Sequence, residues 1–267
     1  MPRFFGPRDG APQVARPGNL VDYLIDHPAT VRVAAPGPHP ADPADPHPTD
    51  PADPDAGAAF LVPLDTLWDV VMRGFGHVWP AGRAVLDGVA LGDVWECRGL
   101  AAALADPDCP PAARIGGDAD ARGLMPFHKL SQWLTYSLME PLELAGIRLT
   151  GLDALTGLAE YRNGGFFVDY GVLALRPESR PKDCPPGAVP SFHVHDDVIV
   201  EWRALTVALL DITADLVREQ LGLSKDELPL PKVLEAGTWK AGREIAARLR
   251  PDTGGPPIDV ISDGTVF

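Results

Sequence analysis

The sequence predicts a mainly α-helical protein with long proline-rich loops and few or no short strands. Apolar residues recur at helical spacing in several long segments, and the 30 prolines and 27 glycines are concentrated between those segments. The chain has 267 residues, of which 45% are hydrophobic, so it can bury a substantial core. Short strands, if there are any, are expected at residues 166–172, where an apolar run has no clear period.

The first 60 residues are predicted to form an N-terminal arm outside the main domain. Asn19 is a candidate cap for a short helix over residues 19–26. An acidic insert at residues 35–57 follows, with eight prolines between Pro36 and Pro54. Proline at that density prevents helices and central strands, so we predict that the insert is disordered and dispensable. Residues 61–267 are then expected to form one helical domain of catalytic type.

Several segments of that domain have helical periodicity. Helices are expected at residues 64–75, 100–104, 127–145, 152–161, 197–221 and 230–249, with proline-rich loops at 107–123 and 177–190. The helix at 152–161 would end at the glycines Gly164 and Gly165, which places Glu160 where the macrodipole disfavours a carboxylate. The helix at 197–221 is expected to bury a stripe made of Val198, Trp202, Leu205, Leu209, Ile212 and Leu216. The apolar C-terminal tail is expected to dock on the domain.

The charge balance excludes several classes of partner. The net charge is −14, from 23 basic and 37 acidic residues, whereas binding to a nucleic-acid backbone needs a basic surface. A small anionic substrate stays compatible, because a few local cations can hold it. No apolar run reaches the roughly 20 residues of a membrane span. The start of the chain lacks the apolar segment of a secretory signal, and three widely spaced cysteines do not form a disulfide framework. We therefore expect a cytoplasmic protein, whose oligomeric state the sequence does not predict.

Familiar cofactor and nucleophile motifs are absent from the sequence. It contains no GxGxxG turn, no P-loop and no GxSxG elbow. Residues 193–197 (HVHDD) contain metal-ligand side chains, but no second cluster of ligands accompanies them. We predict neither a metal nor an organic cofactor.

A dense polar cluster at residues 158–165 is the centre of the predicted site. Polar groups among apolar neighbours form either a buried network or a functional site, because burial without partners is costly. The candidate catalytic residues are Glu160, Glu201 and Lys129. The candidate substrate-binding residues are Arg162, Arg203, Trp133, Tyr161, Asn163 and Arg243. Paired carboxylates with aromatic rings and cations suit hydrolysis at a sugar carbon. Four of the candidates are expected to meet on one pocket, namely Lys129, Glu160, Arg162 and Glu201. The alternative is a buried ion-pair network that joins three helices.

Long phrases of the sequence resemble the uracil-catabolism protein four family of fungi and bacteria. They are PFHKLSQWLTYSLMEPLELAGI, LTGLAEYRNGGFFVDYGVL, VIVEWRALTVALLD, LEAGTWKAGREIA and the ending SDGTVF. The resemblance covers the chain from about Arg16 to Phe267 apart from the insert, and family members have a further N-terminal stretch. It implies a step in the degradation of uracil through its nucleotide, after an enzyme that opens the ring. The substrate implied is a ribosylurea-type phosphate.

Three shorter pieces are similar to the queuosine-nucleotide N-glycosidase family. Phe127-His128-Lys129 is similar to a Phe-x-Lys helix of that family. The segment LTGLAEYR at 155–162 is similar to its LTMFADYR, and the segment EWRA at 201–204 is similar to its EIRA. This resemblance implies an all-helical fold like that of DNA glycosylases. Glu160 replaces an aspartate of that family and is longer by one methylene, so the substrate need not be the same.

Together, the residues and the resemblances predict a hydrolase that cleaves the N-ribosyl bond of a ring-opened uridine phosphate. It would split urea, or a derivative, from ribose 5-phosphate. Glu160 would act on the anomeric carbon or its water, while Lys129, Arg162 and Arg203 would hold phosphate or neutralise Glu201. The two aromatic candidates would line the sugar pocket. The alternative is a non-catalytic nucleotide-binding or scaffolding partner of the ring-opening enzyme.

Overall fold

A computed structural model describes residues 17–34, 58–75, 84–106, 108 and 123–262 of the chain. The predicted insert at 35–57 and the last residues, 263–267, lie outside the described residues. In chain order the first elements are α1 (Pro17–Asp26), β1 (Val31–Ala34), β2 (Ala58–Pro63), α2 (Leu64–Phe75), β3 (Val85–Leu86), β4 (Val89–Ala90), β5 (Val94–Glu96), α3 (Arg98–Ala105) and β6 (Leu124–Pro126). They are followed by α4 (Lys129–Leu144), β7 (Ile147–Thr150), α5 (Tyr161–Asp169), β8 (Ser191–His193), α6 (Asp197–Leu221), α7 (Leu230–Val233), α8 (Lys240–Leu249) and β9 (Asp259–Ile261). Short 3₁₀ helices cover Leu152–Ala154 and Pro177–Ser179, and a π-helix covers Leu234–Trp239.

The chain divides into two compact units. The described parts of Met1–His77 and Leu134–Ala154 make the first unit, and those of Val78–Trp133 and Leu155–Phe267 make the second. The predicted boundary at residue 60 separates an arm from a domain. In the structure that position lies inside β2, and elements on both sides of it belong to the first unit.

The first unit is a three-stranded sheet covered by helices. Its strand order is β1-β2-β7, and β2 is antiparallel to β1 and parallel to β7. In β7 the side chains of Ile147 and Leu149 are buried while those of Arg148 and Thr150 are exposed, which is the two-residue period of a half-buried strand. These side chains pack with the apolar faces of α1 and α2 in one core, which includes Leu24, Val62 and Leu67. Burial of that shared core stabilises the unit.

The second unit is organised around α6, a helix of 25 residues that ends at Gly222 in the left-handed conformation, at φ 67°. The bounds of this helix confirm the prediction for 197–221. Its buried face includes Ile199, Trp202 and Leu210, whereas three members of the predicted core stripe are exposed. They are Leu205, Ile212 and Leu216, at 41%, 56% and 56% exposure. The prediction of this buried stripe is wrong because α6 is apolar around most of its circumference. Periodicity alone therefore does not identify which face of the helix is buried.

Close backbone packing explains the glycines of α5. A Cβ atom on Gly164 would lie 2.9 Å from the ring of Trp202, and one on Gly165 would lie 3.0 Å from Pro257. The glycines therefore lie inside α5, and the prediction that they end a helix is wrong. Of the predicted helix at 152–161, only the short 3₁₀ helix at Leu152–Ala154 is present. The apolar run at 166–172, where strands were expected, instead begins as the second half of α5.

The prediction of a mainly α fold with few or no strands, including its likeness to DNA glycosylases, is wrong. Helices account for 53% of the described residues, but in the same residues nine strands form four small sheets, so the fold is mixed α/β. These strands are two to six residues long, too short to show a clear period. The last strand, β9, pairs in parallel with β8, so the tail docks at least as far as Ile261. None of the helices in the described ranges combines the length and the apolar composition that crossing a membrane requires.

Candidate functional site

A fully buried ion pair lies at the base of the candidate site in the second unit. The guanidinium of Arg203 donates two hydrogen bonds of 2.8 Å to the carboxylate of Asp93, and the side chains are 0% and 1% exposed. The indole of Trp95 donates to the same carboxylate at 2.7 Å, and the ring of Phe127 lies 4.0 Å from the guanidinium. Burial alone would raise the pKa of Asp93. The nearby Arg203 cation and the other donors outweigh burial, so this pKa lies below its ordinary value.

Asp93 also holds the start of α4. The backbone N–H groups of Phe127 and His128 donate to its carbonyl oxygen at 3.0 and 3.3 Å, and that of Lys129 donates to its carboxylate at 3.0 Å. His128 has φ 46°, a left-handed conformation that is uncommon for any residue except glycine. Burial lowers the pKa of His128, although the charge of Asp93 opposes that shift. Asp93 thus satisfies N–H groups that the first turn of a helix leaves without a helical partner.

Glu160 is the N-cap of α5, and not the C-terminal end of a helix as predicted. Its side chain is 7% exposed and accepts hydrogen bonds from the backbone N–H groups of Arg162, at 2.7 Å, and Asn163, at 2.5 Å. The helix macrodipole favours a carboxylate at this end. Burial raises the pKa of Glu160 above its ordinary value, although the two N–H donors and the Lys129 cation oppose that shift.

The ammonium group of Lys129 lies close enough to Glu160 for the two charges to interact, but they form no ion pair within 4.0 Å. Burial lowers the pKa of Lys129 below its ordinary value. The Glu160 carboxylate opposes this shift, the Arg203 cation adds to it, and the Asp93 carboxylate opposes it. Lys129 is half-buried and Glu160 is buried, and we call these two interacting groups the Lys129–Glu160 couple.

The predicted substrate-binding residues close to Glu160 make well-defined contacts. The side-chain oxygen of Asn163 accepts a 2.8 Å hydrogen bond from the Thr238 hydroxyl, which belongs to the π-helix. The guanidinium of Arg162 donates to the carbonyl of Gly254 at 2.5 Å and lies 4.7 Å from the ring centre of Tyr161. These contacts tie the start of α5 to the segments that pack around it.

The structure places the other predicted residues on exposed surface. Glu201 is exposed and forms a 2.8 Å ion pair with Arg176, beside an apolar groove of about 140 Å³. Glu201 lines this groove, and Glu160 does not. Trp133 is 56% exposed, and Arg243 is exposed with its guanidinium 5.0 Å from the ring centre of Trp239. The structure brings Lys129, Glu160 and Arg203 together.

Sequence reasoning missed Asp93, His128 and Thr238. The position of Arg203 did indicate a buried ion pair, because an arginine within the apolar segment VIVEWRAL needs a buried acceptor. Asp93 immediately precedes the apolar pair Val94-Trp95 and was a candidate acceptor, but no local sequence pattern connects positions 110 residues apart.

Within the described residues, no group of three or more histidine, cysteine, aspartate or glutamate side chains could hold a metal ion.

The raised pKa of Glu160 predicts a pH-dependent difference in stability. The folded state binds a proton at Glu160 more tightly than the unfolded state, so this group favours folding less as pH rises through and above the ordinary glutamate pKa of about 4.3. Glu160→Gln removes that titration. The free energy of unfolding of the variant, relative to the wild type, should increase between about pH 4 and 7. Denaturant titrations across this range measure the difference, and a decrease would contradict the assignment.

Two curated proteins are similar to this chain. It is 42% identical over 262 residues to a protein named "Uracil catabolism protein 4" from Lachancea kluyveri, an alignment that covers 94% of this chain and 51% of the relative. It is 43% identical over 204 residues to "Protein urg3" from Schizosaccharomyces pombe, with 75% of this chain and 44% of the relative covered. The chain therefore spans about half the length of these relatives. No solved structure matches it.

These similarities confirm the resemblance that the phrases around Lys129, Glu160 and Arg203 indicate. A family model matches residues 2–267, which is nearly the whole chain. The chain therefore belongs to the family described as "Protein of unknown function (DUF1688)".

Proposed function

We propose that the chain acts in uracil catabolism as an N-glycosidase-type hydrolase. Its substrate would be a ring-opened uridine phosphate of the ribosylurea type, and its products would be urea, or a derivative, and ribose 5-phosphate. The name of the Lachancea kluyveri relative supports the pathway. The observation that supports the chemistry is the Lys129–Glu160 couple, a half-buried ammonium and a buried carboxylate that interact without an ion pair.

The couple offers the two proton-transfer groups that hydrolysis of an N-ribosyl bond requires. Water adds to the anomeric carbon and gives a proton to the Glu160 carboxylate, while the bond from that carbon to nitrogen breaks. The Lys129 ammonium donates a proton to the leaving nitrogen, and the proton on Glu160 then restores the ammonium. The raised pKa of Glu160 and the lowered pKa of Lys129 bring the two groups nearer in proton affinity, which favours such a transfer.

Neighbouring residues would orient these groups and the substrate. The N–H groups of Arg162 and Asn163 aim the Glu160 carboxylate, because each oxygen accepts one of them. Tyr161 and Trp133 are proposed to line the sugar pocket, while Arg162 and Arg243 are proposed to hold the phosphate. Arg203 and Glu201 receive no direct role in this reaction, since Arg203 is fully buried against Asp93 and Glu201 pairs with Arg176.

A urea-release assay tests the proposal. Purified protein is incubated with the ring-opened uridine phosphate, and urea and ribose 5-phosphate are measured by chromatography. We expect both products in equal amounts with wild type, and a strong loss of both with Lys129→Met or Glu160→Gln. Tight binding of this compound without turnover would overturn the hydrolase and favour the non-catalytic alternative.

One observation favours that alternative, a nucleotide-binding or scaffolding partner of the ring-opening enzyme. The exposed side chains of Leu205, Ile212 and Leu216 form an apolar row along α6. Rows of this kind are often covered by a partner protein. The alternative predicts that a charged residue at Ile212 abolishes complex formation with that enzyme, measured by size-exclusion chromatography, while nucleotide binding stays unchanged.

A further inference from the structure

We propose that the buried Asp93–Arg203 pair sets the separation of Lys129 from Glu160, so that Asp93 and Arg203 are positioning residues for the couple. The effect of the Asp93–Arg203 pair on turnover rests on the proposed function. The placement of Lys129 relative to Glu160 is a property of the folded chain. The geometry points to this role because each end of the pair is bonded to the backbone beside one member of the couple.

The Asp93 end holds the backbone beside Lys129. Three consecutive N–H groups, those of Phe127, His128 and Lys129, donate to Asp93 through its carbonyl oxygen or its carboxylate. His128 is held among these bonds at φ 46°, a conformation that non-glycine residues keep only where the surroundings impose it. The start of α4, and with it the Cα atom of Lys129, is therefore fixed relative to Asp93.

The Arg203 end holds the backbone beside Glu160. The Nε–H group of Arg203 donates to the carbonyl oxygen of Ala159 at 3.3 Å, and Ala159 immediately precedes Glu160. The same guanidinium lies over the ring of Phe127, two residues before Lys129. Arg203 therefore contacts the segment before Glu160 and the segment before Lys129 at the same time.

The pair is a rigid connection between these two segments. Two parallel hydrogen bonds of 2.8 Å fix the planar guanidinium against the carboxylate, and both side chains are fully buried. A lysine at position 203 would keep the positive charge, but it lacks the planar fork and the Nε–H donor. Arg203→Lys is therefore a variant that loosens the connection without leaving the Asp93 carboxylate uncompensated.

The proposal predicts a change in the electrostatic coupling between Lys129 and Glu160. The groups that face the Lys129 ammonium are Glu160, Arg203 and Asp93, and Glu160 raises its pKa. Glu160→Gln should therefore lower the pKa of Lys129 in the wild-type background. In the Arg203→Lys background the same substitution should lower that pKa by clearly less, because the two groups are no longer held together.

Nuclear magnetic resonance of lysine labelled at Cε measures this coupling without any substrate. The chain has five lysines, Lys129, Lys182, Lys225, Lys232 and Lys240, and Lys129→Arg assigns the signal of the first. Arg250→Lys is the matched control, because Arg250 forms another paired contact, of 2.9 and 2.5 Å, with Asp169. Coupling that is equal in the wild-type, Arg203→Lys and Arg250→Lys backgrounds would overturn the proposal. So would the absence of any effect of Glu160→Gln on Lys129.

Turnover provides the second readout. Arg203→Lys should lower kcat by about 10- to 100-fold with little change in KM, because misplacing a reacting group by about 1 Å has an effect of that size. A purely structural role predicts lower thermal stability with unchanged kcat in the folded protein. If the wild type releases no urea, the proposed function fails, while the coupling measurement still decides whether the pair positions Lys129 and Glu160.

Discussion

Asp93→Asn is expected to lower the free energy of unfolding by about 3–5 kcal/mol, because it leaves the Arg203 cation buried without a counter-charge. Arg203 is 0% exposed and its guanidinium donates two of its hydrogen bonds to this carboxylate. Asparagine can accept one of those bonds, but its amide presents N–H groups to the other donor. The substitution also weakens the acceptor for the Lys129 N–H group at the start of α4.

Denaturant unfolding of the purified variant measures the loss. Asp69→Asn is the matched control, since both side chains of the Asp69–Arg73 ion pair are exposed, at 41% and 76%. An exposed pair contributes about 0–1 kcal/mol, so this control should change stability little. The double variant Asp93→Asn/Arg203→Met should be more stable than Asp93→Asn alone, because no buried charge is left uncompensated. A single variant within about 1 kcal/mol of wild type would contradict the assignment.

The long helices of the fold could be predicted from the sequence, whereas its sheets could not. A helix such as α6 repeats its pattern over 25 residues, so its bounds follow from periodicity and from the terminal Gly222. The strands β2 and β7 carry only six and four residues, and they pair in parallel across more than 80 positions of sequence. Local patterns contain no information about such pairing, because it depends on packing between distant segments.

Part of the candidate site could also be predicted from a local sequence pattern. The polar octet at 158–165 identified Glu160 because a carboxylate between apolar and glycine residues needs an unusual environment. The rule that glycine ends helices then placed Glu160 at the wrong end of one. Gly164 is required by the close approach of Trp202, a contact that only the tertiary structure shows. Asp93 was missed because its partner lies 110 residues away.

The position of Glu160 changes what its removal should do to stability. As an N-cap, the carboxylate accepts two N–H groups, and loss of a cap costs about 0.5–2 kcal/mol. Glu160→Gln also relieves the burial of a charge, which is the main cause of the raised pKa. These effects oppose each other, and the glutamine can still accept one hydrogen bond. We therefore expect the variant to fold with stability within about 1 kcal/mol of wild type at neutral pH.

Turnover, in contrast, should fall about 100-fold or more in Glu160→Gln, because the amide cannot take a proton from water. Urea release and denaturant unfolding are measured on the same preparation. Asp196→Asn is the control, since Asp196 occupies the N-cap position of α6 and its carboxylate accepts the N–H group of His193 at 2.8 Å, although it bonds no N–H group of the helix itself. It should leave turnover unchanged. A Glu160→Gln variant that unfolds would contradict the stability expected for it and count against a catalytic explanation of its inactivity. A folded variant that keeps full activity would show that Glu160 is a structural cap and not the proton acceptor.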